Sequence, residues 1–210
     1  MHRHAIRHLV FLGATLAAAG GCTSTSLSSQ WKDLNRPPHP MQSMFVIAAA
    51  KDVTTRRVFE DKFVSRLARH GVAAVPSYRI FSDSVLPTPD QIRDAIRANS
   101  FDGVLNLRLV DITEEPTYVA PTYAAAPSGY YVRPYWGYYG SLYSPFYDPG
   151  YVGITQIIAI EATLWDGRSQ ESKLIWSGTT ETRDPTTDLK LASSVAKRIT
   201  GALRNEGMLR

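Results

Sequence analysis

The sequence predicts an α/β domain built on a mixed five-stranded sheet. Three observations lead there. Short apolar runs alternate with two helix-period stretches in the first half, two strand patterns meet at a turn signal, Asp166-Gly167, in the second, and an amphipathic stretch closes the chain. The chain has 210 residues, 44% hydrophobic and 20% charged, which suits a globular core and excludes a disordered or polytopic membrane protein.

Met44 to Ala50 is an apolar run that reads as a buried strand. Thr54 to His70 has helical period, with Phe59, Phe63 and Leu67 on one face and Gly71 as the stop. Val72 to Phe81 reads as a second strand, which Pro76 assigns to an edge or a bulge. Thr88-Pro89-Asp90-Gln91 has the cap, the first-turn proline and the capping-box glutamine of a helix running to Asn99. Gly103 to Ile112 is the third strand, Ile154 to Trp165 the fourth and Lys173 to Thr182 the fifth. Asp188 to Asn205 is the last helix, with Ala192, Val195, Ala196, Ile199 and Leu203 facing inward.

Right-handed crossovers place the first strand centrally and put the first two helices on opposite faces. The expected order is 2-1-3-4-5 with strand 4 antiparallel and three helices on two faces. One parity of the strands is apolar throughout: Leu105, Leu107, Leu109, Ile158, Ile160, Ala162, Leu164, Leu174 and Trp176. The other is mixed, with Arg108 expected opposite Glu161, and with Val110, Ile157, Trp165 and Ile175 beside polar groups. That mixed face offers a surface for a partner, a second copy of the chain included, unless the tether or the long loop covers it.

Between strands 3 and 4 lies a long aromatic-rich insertion, residues 116–151, holding ten of the eleven tyrosines, six prolines and four glycines. Its charges are Arg133 and Asp148, and no secondary-structure period runs through it. A bland flap and a contact surface are both expected readings, since tyrosine offers area at low entropic cost and keeps a polar tip. The contact residues would be Tyr130, Tyr131, Tyr135, Trp136, Tyr138 and Tyr139, toward a protein, glycan or headgroup partner. A membrane-crossing hairpin is disfavoured, because prolines and glycines interrupt the alternation it needs.

The first residues are basic, with Arg3 and Arg7. Leu9 to Ala19 are apolar but too few to span a bilayer, which takes about 20 residues. Ala18, Ala19, Gly20 and Gly21 follow, then Cys22, the single cysteine. A basic start, a short apolar middle and a small-residue end form a secretory signal. With the cysteine at that point the segment resembles the bacterial lipoprotein box, except that Ala19 stands where leucine is usual. The resemblance implies cleavage after residue 21 and lipidation of Cys22. Thr23 in place of an aspartate implies sorting to the outer membrane, with the domain facing the periplasm. Residues 22–43, rich in Ser, Thr and Pro, are expected to be a flexible lipidated tether, and 44–210 a single domain.

Reaction chemistry is harder to find. Beyond the signal the histidines are His39, in a proline-rich stretch, and His70, at a helix end. The lone cysteine is assigned to lipid, so no thiol nucleophile, disulfide or cysteine zinc site is expected. No GxSxG, P-loop or HExxH is present. Glu60-Asp61 and Glu114-Glu115 read as solvated pairs, and Thr54-Thr55-Arg56-Arg57 as a helix start with exposed arginines. Without Arg3 and Arg7, the basic excess of 23 over 19 shrinks further, too little to imply nucleic acid. No cofactor and no metal are expected.

The element order behind Cys22 looks like the periplasmic lipoprotein domains of curli secretion, Pel export and penicillin-binding-protein activation, which are similar to the TolB N-terminal fold. It is closer still to uncharacterised bacterial lipoproteins with a Tyr/Gly/Pro-rich insertion and a WSGTTET strand, here Trp176 to Thr182. The resemblance implies no functional residue. Together these readings lead to a non-enzymatic, membrane-anchored interaction domain for envelope assembly, export or maintenance. The alternative is a peptidoglycan- or glycan-binding module that uses the insertion.

Overall fold

The structure, a computed structural model, describes residues 24–35, 39–81, 87–125, 145–148, 150–168 and 173–210. Ten segments form in the order β1 (Thr25–Lys32), β2 (Ser43–Ala49), α1 (Val53–Ala68), β3 (Ala73–Pro76), α2 (Pro89–Asn99), β4 (Gly103–Val119), β5 (Thr122–Ala125), β6 (Pro145–Asp148), β7 (Tyr151–Asp166) and β8 (Leu174–Arg183), followed by α3 (Asp188–Asn205). The main sheet has six strands among the described residues, in the order β1-β8-β7-β4-β2-β3. The five other than β1 follow the expected order. β2 is parallel to β3 and β4, and β7 is antiparallel to β4 and β8.

The sixth strand is a correction. Thr25–Lys32 lies within the stretch expected to be a leash, yet it pairs antiparallel with β8 from Thr25↔Thr182 to Lys32↔Trp176. Its polar sequence leaves most side chains exposed, as suits an edge strand. The Thr25 hydroxyl lies 2.9 Å from that of Thr182 and donates to Ser194 at 2.8 Å, tying β1 to α3 as well. Leu27 packs on the core, whereas Trp31 is half-exposed and Leu34 stands almost fully in solvent.

The core lies mainly on one side of the sheet. There Phe59, Phe63 and Leu67 of α1 and the inward stripe of α3 meet Val46, Leu105, Leu107, Ala162, Leu164 and Trp176. Thr180 and Thr182 are buried on the same side, so the apolar parity of β8 ends in hydroxyls. A register shift between Leu164 and Trp165 turns Ile175 into this core and pairs Leu174 with Trp165, opposite to the expected faces. On the second side α2 covers only one end, through Phe45, Ile96, Phe101 and Val104. Thr88 and Gln91 form both bonds of the expected capping box. Beyond α2 this face is partly wet, and Arg108 pairs with Glu161 across β4 and β7 as expected.

Two acids read as solvated do structural work. Glu60 is fully buried and accepts from Ala48 N (3.0 Å), the Ser77 hydroxyl (2.5 Å) and Tyr78 N (3.3 Å), joining α1 to β2 and to the turn after β3. Burial pushes its carboxyl above the ordinary range, against the pull of those bonds and of Arg56. Asp61 accepts from the Tyr78 hydroxyl at 2.5 Å.

Candidate functional site

The feature that most sets this domain apart is a ribbon. β4 runs on past the end of β2, whose last partner is Arg108, and stays paired with β7 from Thr113↔Ile157 to Val119↔Tyr151. The first row is still flanked by Arg183 of β8, and the six beyond it carry the ribbon about 20 Å past the body at about 3.3 Å per residue. β5 and β6 then pair as a separate two-stranded sheet, Thr122↔Asp148 to Ala125↔Pro145. Residues 116–119 and 151, expected within an unstructured insertion, therefore belong to long strands. Gly150 sits where the ribbon passes into β5–β6: a Cβ there would stand 2.6 Å from the Val119 carbonyl oxygen and 2.7 Å from Pro121 Cδ.

Pairing register decides what each ribbon face carries. Ile160, Ala162 and Leu164 of β7 face the main core, so the residues in step with them continue that face outward. They are Ile112 and Ile158, then Glu114 and Gln156, then Pro116 and Ile154, then Tyr118 and Val152. Ile112 is 50% exposed, Tyr118 69%, Val152 68% and Ile154 70%, a run of apolar side chains in solvent. The opposite face carries Thr113, Glu115, Thr117 and Thr155, with a hydroxyl contact of 2.8 Å between Thr117 and Thr155 and an ion pair of 3.1 Å between Glu115 and Arg183. Only its last row, Val119 and Tyr151, is apolar on that side. The ribbon is one-sided.

At its base the apolar face runs into a groove of about 580 Å³ beside Ala48, Phe59, Leu109, Ile112, Ile160 and Leu191. The N-termini of α1 and α3 flank it. Their acids are engaged: Asp52 caps α1 by accepting from Thr55 N at 2.6 Å, and Asp188 accepts from the Thr55 hydroxyl at 2.7 Å. The Thr55 bond, first, draws the Asp52 carboxyl below its ordinary range. The helix start is thus capped by the chain's own carboxylate, and Arg56, expected to be exposed, is buried. Lys51 and Arg108 stand at the rim of the groove, Arg108 paired with Glu161, and Ala48, Phe59, Leu109, Ile160 and Leu191 make its apolar lining. A second groove of about 550 Å³, between β1 and α3, is polar and lined by Thr25, Ser194, Lys197 and Arg198.

Cys22 lies outside the described residues, as do Tyr130, Tyr131, Tyr135, Trp136, Tyr138 and Tyr139. His70 binds the Arg210 carbonyl oxygen through Nδ1 at 3.1 Å, a contact that ties the end of the chain to the end of α1. The ribbon face itself escaped the sequence reading, although the alternation of Ile112, Glu114, Pro116 and Tyr118 with threonines and an acid is its signature. Among the described residues no helix is long and apolar enough to cross a membrane.

No protein-family model matches the chain, and no curated protein does. Among solved structures it is similar to the PelC dodecamer from Paraburkholderia phytofirmans, at 13% identity over 84% of this chain and 96% of that one, with a TM-score of 0.44. It is also similar to Lipoprotein GNA1162 from Neisseria meningitidis, at 12% identity over 78% of this chain and 99% of that one, with a TM-score of 0.41. No residue of this chain takes a role from them.

Proposed function

We propose that this chain is a bacterial lipoprotein, anchored to the outer membrane through Cys22, whose periplasmic domain acts by contact rather than by turnover in envelope assembly, export or maintenance. The observation that carries this reading is the exposed apolar surface of groove and ribbon, crossed only by the Glu114–Gln156 row. Soluble monomers rarely leave a contiguous apolar patch larger than a few hundred Å² exposed, and those that do use it for contact. The groove presents aliphatic groups, and its acids are held by Thr55. The signal-like N-terminus and the position of Cys22 supply the anchor.

The test replaces Ile112 and Ile154 together by aspartate in the full chain and expresses the variant in a deletion strain. Both side chains are at least half exposed, so the fold and envelope fractionation should survive. The reading expects the variant to fail in restoring resistance to detergent and bile salts while wild type succeeds. Full restoration by the folded double variant would contradict it.

A further inference from the structure

We infer that the apolar face of the ribbon rests on the bilayer that holds the Cys22 lipids, at the boundary between headgroups and acyl chains. This rests on the lipidation reading above and adds what the ribbon touches.

The argument begins with chain length. Arg183 N donates to the Ser24 carbonyl at 3.3 Å, so the edge strand is held as far out as Ser24. Cys22 precedes Ser24 by two residues, a reach of at most about 7 Å. A lipid at Cys22 therefore cannot drift far from the sheet. Direction comes next. The row Thr25–Thr182–Ile158–Ile112 crosses four strands, and β1 runs from it toward the far end of the body. Cys22 thus attaches at the end of the sheet from which the ribbon projects. A bilayer held within about 7 Å of Ser24 meets a ribbon extending about 23 Å past the same row.

Chemistry fixes the depth. Beyond the Glu114–Gln156 row at its base, one face of the ribbon is apolar at Pro116, Ile154, Tyr118 and Val152, and the other carries mostly hydroxyls and an acid. From Pro116 to Gln156 the sequence carries two charges, Arg133 and Asp148, while Glu114, Glu115 and Asp184 gather at the ribbon base. Such a one-sided element lies along an interface, apolar side down, in the manner of an amphipathic helix. It does not cross: among the described residues β4 beyond Arg108 and β7 before Gln156 pair on one side only, and open strand edges are not tolerated in hydrocarbon. Tyr118, 69% exposed on this face, is a side chain of the kind that settles at headgroup level.

The experiment uses the full lipidated chain reconstituted in vesicles of phosphatidylethanolamine and phosphatidylglycerol. With the Cys22 sulfur occupied by lipid, Val152→Cys or Arg204→Cys supplies the single thiol for an environment-sensitive fluorophore. Val152 is 68% exposed and Arg204 lies at the opposite end of the body, so both variants should fold. Shallow nitroxide-labelled lipid is expected to quench the probe at Val152 at least twofold more than the probe at Arg204. Equal quenching at both sites in protein that floats with the vesicles would overturn the inference. So would a Val152 probe shielded from aqueous iodide yet untouched by labelled lipid, which would assign the face to a second copy. Palmitate incorporation and flotation are scored in parallel. Loss of both overturns the lipidation reading and this inference with it, whereas their presence with equal quenching overturns the inference alone.

Discussion

Ser24 and Arg183 share the outermost backbone hydrogen bond of the β1–β8 pairing, 3.3 Å from N–H to carbonyl oxygen. Two residues before Ser24 stands Cys22. A segment whose composition reads as a leash is thereby pinned to the sheet, and a lipid at Cys22, as proposed, would stand within about 7 Å of Ser24 rather than tens of ångströms away. Under the proposed lipidation, the anchor would set the orientation of the domain as well as its location.

The hold of β1 depends on a glycine. A Cβ on Gly178 would lie 2.5 Å from Cη2 and 2.7 Å from Cζ2 of Trp176, and 3.3 Å from Leu27 Cδ1. Trp176 is fully buried and cannot swing away. Gly178→Ala should cost about 1–3 kcal/mol in urea unfolding and expose the β1 segment to limited proteolysis. An unchanged midpoint and proteolytic pattern would show that the ring has room to move.

Glu60 should matter for stability in a pH-dependent way. Glu60→Ala strands the donors Ala48 N, Ser77 Oγ and Tyr78 N, at a cost of about 2–4 kcal/mol. Burial raises the carboxyl above its ordinary value of 4.5, so the folded state binds the proton more tightly than the unfolded one. That contribution is fully present below 4.5 and is lost as pH rises through the folded value. The stability gap between wild type and Glu60→Ala should therefore narrow from pH 4 to pH 7 in chemical denaturation. A gap that widens would reverse the assignment.

Asp102 should behave in the opposite sense. Arg168 at 2.9 Å, then the N–H groups of Gln42 and Ser43, draw its carboxyl below 3.8 against the effect of burial. Its contribution is present above 3.8 and disappears as pH falls through the folded value. Asp102→Ala should lose about 1–2 kcal/mol at pH 7 and show a flatter decline than wild type below pH 4. Parallel acid unfolding curves would count against this account.

The ribbon face should contribute surface rather than stability. In the unlipidated Cys22→Ser chain, Val152→Ser with Ile154→Ser should stay within about 0.5 kcal/mol of its parent. It should nonetheless elute earlier from a hydrophobic-interaction column. Unchanged retention would show that these side chains are covered by another part of the chain.

Much of this fold was legible because its strands and helices carry periodic apolar residues. Leu105, Leu107, Ala162 and Leu164 mark their strands, and Thr88 with Gln91 marks α2. β1 was hidden because an edge strand gains its hold from backbone pairing and from hydroxyls such as Thr25, which composition cannot tell from a linker. The ribbon was hidden by the prolines and glycines of residues 116–151, Pro116 among them, read as interruptions. β4 pairs on one side only from Leu109 onward, so a residue without an N–H fits there. Glu60 looked solvated because its three donors come from β2 and from the turn after β3, distant in sequence. The residues placed at the candidate contact in the insertion, Tyr130 to Tyr139, lie outside the described structure.

The central claim is that lipid at Cys22 ties this domain closely to a membrane. Its most direct test is the intact mass of the protein purified from bacterial envelopes. The account predicts loss of residues 1–21 and a Cys22 carrying a diacylglyceryl thioether and an N-acyl chain. A mature chain that begins elsewhere, or a Cys22 that still reacts with maleimide, would contradict it.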